Sequence, residues 1–479
     1  AKAEYQESRP RYPNGAVATR IRNRLRVLAS TGQSASNLGL GPDGQPLGWR
    51  NTGSVSQLLQ QGREHIDVGG NVTDRTSVSA SLTDADWTAR HRGERYTFIS
   101  RISAGLTRDL RASGSGNATR ISAAYAELGD TSHAWSVRVG RQTRSNGGVL
   151  GLFDGAWVGW QRTQQLGFSA AIGTPVDTSH AGFSTERRFV AVAANLGPIR
   201  SVWDFSAFLT TQQIAGSAAD RQAVGFEARY FAPGRTVMTL FDYDLHFHVL
   251  NSALVTGSWR LPARWTLAFD AGHRRAPSVS ARNALIGQPV LTYAELELLF
   301  TPDQLRQLAL DRTPVSDQFS LSLSRPIGER WQVMADAFAL RIGASPASGG
   351  VLANPATGWD RSVQLQLTGS SLWTASDLHF FTVREQRSDQ AHSTSAAWNL
   401  RLPLTGAWRL GPQLRVERRE RLTDQSVQLL YTPEIRLDYA QRRSLFDLYL
   451  GSEISKRDLP ADTEKIRRLY AIAVYRYRF

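Results

Sequence analysis

The chain has 479 residues and no cysteine, which removes disulfides, thiolate metal sites and cysteine nucleophiles together. No run of about 18 apolar residues occurs, which excludes a membrane helix. A hydrophobic share of 41% with mean hydropathy −0.32 suits about two to four soluble domains, or one large barrel whose strands are only half apolar.

The 56 basic residues against 42 acidic ones give +14, and every basic residue except Lys2, Lys456 and Lys465 is arginine. That bias fits either a GC-rich coding sequence or a surface that meets anions, because guanidinium forks grip carboxylate and phosphate at two points. Ala1 in place of Met, without a charged-then-apolar leader, implies a removed export signal or a longer precursor.

Residues 1–15, polar with Pro10 and Pro13, predict a disordered start. Alternation begins at Val17: Val17, Thr19, Ile21, Asn23, Leu25 and Val27 form one face, and Arg20, Arg22, Arg24 and Arg26 the other. Four arginines in a row repel in a dry setting, so this face needs water. A nucleic-acid-binding arm would also carry such a run, but it would not explain the apolar partner face.

A Gly/Ser/Asn-rich loop is expected over 30–53. Strands follow at Val55–Gln60, His65–Val72 and Ser77–Trp87, the last two around a tight Thr73-Asp74-Arg75 turn. Arg101 falls on the polar side of a strand spanning Arg95–Thr107, and Arg138 in a hairpin of Arg120–Leu128 with Trp135–Gln142. From Trp157 to His273, strands recur every 12–20 residues or so, with tight turns alternating with longer loops. Within them, Asp242, Asp244, His246 and His248 sit on one face of a strand over Thr236–Phe247. Alternate positions lie about 7 Å apart, so these side chains read as polar lining before they read as a metal site.

Residues 276–316 break the rhythm, and Thr301-Pro302-Asp303-Gln304 is a capping box that opens a short helix. Strands resume at Phe319, with a further loop at 343–357. Trp408–Arg421 places Arg409, Arg415 and Arg419 on one side, and Arg436 lies opposite the apolar face of Val427–Tyr439.

The chain closes on Arg468–Phe479: Leu469, Ala471, Ala473, Tyr475, Tyr477 and Phe479 alternate with a face carrying Arg468, Arg476 and Arg478. A terminal Phe preceded by aromatic or apolar residues at every second position resembles the C-terminal pattern of bacterial outer-membrane barrels. The resemblance implies an all-β fold, a single antiparallel transmembrane barrel of about 22–24 strands, over residues 16–479. It implies outer-membrane lipid around the barrel and an even strand number if both ends lie in the periplasm.

The stretch from Val139 to Gly155 has a strand ending Gly140-Arg141-Gln142, a glycine-rich loop (143–155) and Phe153-Asp154-Gly155. It resembles alginate-export and porin-like barrels, in which such a loop folds inward. Arg141, Arg144 and Asp154 would then set the charge at a constriction.

No nucleophile elbow, HExxH, phosphate loop or cofactor motif is present, so no enzyme activity, metal or cofactor is expected. The pore-lining candidates are Arg20, Arg22, Arg24, Arg26, Arg101, Arg138, Arg409, Arg415, Arg419, Arg436, Arg476 and Arg478. The expectation is a pore for hydrophilic anionic solutes, a secreted polysaccharide among them, with an upstream periplasmic scaffold. The alternatives are a sleeve around a cytochrome, filament or plug, and a general small-solute porin.

Overall fold

Two-faced strands, apolar on one side and polar on the other, need a partner for each face, and a sheet closed on itself also leaves no open edge. The computed structural model describes residues 47–111, 116–215, 218–459 and 462–479. These residues form one antiparallel sheet of 22 strands, β1 (Gly48–Val68) to β22 (Thr463–Arg478), each bonded to its neighbours in sequence. Pairing of β1 with β22 over Ser54–Val68 and Glu464–Arg478 closes the barrel. The terminal Phe479 completes that seam, exchanging backbone hydrogen bonds of 3.0 Å with Gly53 in both directions.

The two ends of the barrel differ. At the end that holds Gly48 and Phe479, the connections are tight, as at 200–202, 233–234 and 442–443, and reach at most 371–377. At the other end lie 177–186, 276–314 and 343–359. Short turns on the periplasmic side and long loops outside are the habit of outer-membrane barrels.

Outward-facing side chains are apolar and exposed: Leu59, Val192, Leu209, Leu365 and Leu469 are each about half accessible. Aromatics gather on this face near the short turns, with Trp160 against Phe168, Trp408 against Tyr439 and Tyr477 against Phe479. A closed barrel with an apolar belt and an aromatic girdle belongs in lipid, and this is a protein of the bacterial outer membrane.

Several boundaries differ from the sequence reading. The first turn is not Thr73-Asp74-Arg75 but Gly69-Gly70, which joins β1 to β2 (Asn71–Arg92) with φ of 57° and 87°. Two glycines at positive φ make the tightest hairpin turn. Residues 48–53, expected in a loop, begin β1, whereas 1–46, with the Arg20–Arg26 ladder, lie outside the described residues. The neighbour of β22 is thus Gly48–Val68. Strand β11 (Arg235–Asp244) ends before His246 and His248, which occupy the following turn.

Residues 143–155 are not a long loop. They belong to a hairpin of β5 (Trp135–Asn146) and β6 (Val149–Gln161), turning at Gly147-Gly148. Loop 276–314 holds the expected helix, α2 (Pro302–Asp311), whose Thr301 and Gln304 cap each other reciprocally. An unforeseen short helix, α1 (Tyr293–Glu297), starts with the same device from Thr292 and Glu295.

Candidate functional site

The inner face is fixed by one long-range contact. Gly147 N–H, at the tip of the β5–β6 hairpin, donates to the Glu227 carboxylate on β10 (Ala218–Ala232) at 3.2 Å. That bond skips three intervening strands, so it spans the hollow, and Glu227 points inward. Antiparallel partners share a face. From Glu227 the register carries the inward face through Leu240 and the strands beyond, to Arg436, Arg476 and Ser54, and back through Asp86, Arg101 and Glu127. Arg101, Arg138, Arg409, Arg415, Arg419, Arg436, Arg476 and Arg478 all lie on it.

These arginines divide into two groups. Arg101 meets Asp86 at 2.8 Å and Arg138 meets Glu127 at 2.7 Å. Arg415 and Arg419 share Glu417, at 2.6 and 2.7 Å. Arg436 bonds Asp438, two residues along its strand, and reaches Asp447 at 3.2 Å. Those pairs stiffen the wall and cancel their own charge.

Arg409, Arg476 and Arg478 have no carboxylate within ion-pair distance among the described residues, and other inward arginines share this state: Arg50, Arg90, Arg260 and Arg401 toward the short-turn end, and Arg274, Arg384 and Arg421 toward the long-loop end. Arg50 and Arg90 are direct cross-strand partners. Like charges placed opposite each other destabilise a sheet unless water or an anion lies between them.

The hairpin itself departs from the wall. β4 (Ala118–Asp130) pairs with β5 only from Gly129↔Ser136 to Ala124↔Arg141, and β6 pairs with β7 (Leu166–Val176) only from Leu152 onward. Beyond these points the hairpin bends inward over β7 to β10. A row of three glycines marks the bend: Gly140 opposite Gly155, and Gly155 opposite Gly173. A Cβ on Gly140, at φ 121°, would stand 2.2 Å from Ala124 O, and one on Gly155 would stand 2.1 Å from Ile172 O. Only glycine allows that approach.

Inside, Phe153 meets Phe189 edge to face at 5.2 Å and packs with Ala171 and Ala191. Arg144 stacks over Trp157 at 3.3 Å. The gap left in the wall is covered by 177–186: Ile121 N–H donates to Ser179 O (2.8 Å), and Arg141 donates to Ala181 O (2.9 Å).

The expected trio therefore separates. Arg144 keeps the inward face of the hairpin. Arg141 and Asp154 lie on its back under 177–186, joined at 2.7 Å and nearly buried. They neutralise each other away from the hollow.

At the same mouth, loop 276–314 covers the inner wall of β9 (Trp203–Ile214) to β12 (Val249–Arg260). Val279 N–H donates to Asn251 Oδ1 at 2.9 Å, and Ile214, Phe247, Leu296 and Leu305 pack together. Asp242 and Asp244 are buried beneath it beside Arg221, as an ion-paired anchor. Burial lifts the Tyr293 phenol, on α1, to about 12. Among the described residues no group of three or more His, Asp or Glu side chains is placed to hold a metal.

No family model matches the chain. No curated protein matches it either. Among solved structures it is similar to Pseudomonas aeruginosa OpdQ, with 8% identity over 90% of this chain and 98% of that one, at a TM-score of 0.42. It is similar to the translocation pore of the P pilus usher PapC, with 8% identity over 89% and 99%, at 0.41. A third is Acinetobacter baumannii OccAB2, with 8% identity over 89% and 98%, at 0.39. The barrel assignment stands on the register and faces described above.

Proposed function

We propose that this protein is a passive outer-membrane channel that prefers small hydrophilic anions. The supporting observation is the band of inward arginines near the short-turn mouth, Arg50, Arg90, Arg401, Arg409, Arg476 and Arg478, none within ion-pair distance of a carboxylate among the described residues. Unpaired guanidiniums in a wet pore lower the barrier for an anion, and many weak contacts let it leave again. The hairpin inside the barrel and the helical loop against one mouth favour free solutes over a folded partner filling the interior. An acidic polysaccharide would offer the same carboxylates, but as a chain that must thread past the hairpin.

The test is reversal potential in planar bilayers under a KCl gradient. The native barrel is expected to favour chloride, and Arg50→Glu with Arg90→Glu to weaken or reverse that preference. An unchanged ion ratio in the variant, or bilayers that stay closed with the native protein, overturns the proposal.

A further inference from the structure

One part of the inner wall is shaped, not merely charged. On β19 (Trp408–Arg421) the inward positions run Arg409, Gly411, Gln413, so a glycine stands where every neighbour carries a long side chain. Beside it Pro412 has no N–H, and the ladder to β18 (Ala391–Pro403) lapses between Asn399↔Gln413 and Leu402↔Leu410. The missing side chain and the lapsed ladder leave a recess of about 370 Å³ in the wall. That falls within the usual range of small-molecule sites, about 300–1,000 Å³.

Its walls carry arginines, aromatic rings, amides and two carboxylates, Asp438 and Glu434, the latter accepting from the Tyr470 hydroxyl at 2.7 Å. Arg401 and Arg409 bring charge without a carboxylate partner among the described residues, whereas Arg436 is held by Asp438 and Asp447. Arg401 lies over the Phe380 ring at 5.6 Å and Arg436 over the Tyr449 ring at 4.9 Å. Three amides, Gln366, Asn399 and Gln413, also line the recess, and Asn399 Oδ1 is enclosed with no hydrogen-bond partner. An enclosed acceptor without a donor is costly and asks for a hydroxyl or N–H.

We infer that this recess binds a small polyhydroxylated carboxylate, a sugar acid, as a resting point on the way through. The carboxylate would bridge Arg401 and Arg409, and the hydroxyls would bond the amides. A neutral sugar lacks the first contact, and a simple inorganic anion lacks the second. The inference rests on the channel proposal for its meaning but not for its test.

The experiment is calorimetric titration of glucuronate, glucose and chloride into the full chain in detergent, alongside bilayer conductance. Glucuronate is expected to bind and the other two to give no saturable heat. Gly411→Trp fills the recess without removing a charge and is expected to abolish binding. Arg401→Gln with Arg409→Gln should weaken it by about tenfold or more, as loss of charge-assisted bonds does. Retention of the heat-modifiable folded band on gels confirms that each variant is a barrel. Glucuronate binding that survives Gly411→Trp, or no binding by the folded native chain, overturns the recess. Closed bilayers with intact glucuronate binding overturn the channel instead.

Discussion

Neighbouring residues on one strand face different solvents here, and adjacent substitutions expose that. On β16 (Asp360–Ser370), Leu365 points to lipid and Gln364 to the hollow, opposite Asp336 and Arg384. Leu365→Arg is expected to cost about 2–4 kcal/mol and Gln364→Arg close to nothing, measured by denaturant titration in lipid vesicles. Equal costs would contradict the assignment of faces. Arg144 offers a second residue-scale test: a double-mutant cycle of Arg144→Met with Trp157→Leu should return a coupling of about 1 kcal/mol. A coupling of zero would mean that the 3.3 Å stack contributes nothing.

Much at this scale was readable beforehand. Arg415, Glu417 and Arg419 stand two apart, as do Arg436 and Asp438, and period two places each set on one face. Their ion pairing follows from that spacing, with Glu417 shared between two arginines. What the chain alone could not reveal is which arginines stay unpaired. Arg50 and Arg90 are forty residues apart and meet only through the β1–β2 register.

Among elements, the strands were legible from alternation and the loops less so. The glycines around 147 suggest irregular chain, yet at φ 65° and 78° they make a two-residue turn between regular strands. The capping box of α2 was visible as a motif, and that of α1 has the same form. Thr301→Ala should lower the stability of the helical loop by about 1 kcal/mol, seen as faster proteolysis within 276–314 while the barrel stays folded.

The turn between β19 and β20 (Val427–Gln441) carries a pH-sensitive contact. Ser426 Oγ donates to Asp424 at 2.6 Å; that bond outweighs partial burial and, with Ser426 N–H and Arg457, holds the carboxyl below its ordinary value. A lowered carboxylate contributes stability above its unfolded value, about 3.9, and loses it as pH falls through the folded value. Asp424→Asn should therefore melt below the native barrel at pH 7, with the gap closing below about pH 4. A gap independent of pH would remove the ionised carboxylate from the account.

For the whole molecule, the glycine row has a mechanical consequence. Where first and last strands meet, the junction runs the length of Ser54–Val68 against Glu464–Arg478. The β4–β5 junction holds only Ala124–Gly129 against Ser136–Arg141, with one borrowed backbone bond from 177–186, Ile121 N–H to Ser179 O, beyond it. If the cylinder ever unzips sideways into the bilayer, it should part between β4 and β5. Amide deuteration of the folded barrel would then advance fastest along Ala118–Ala124 and slowest along Gln57–Gln61.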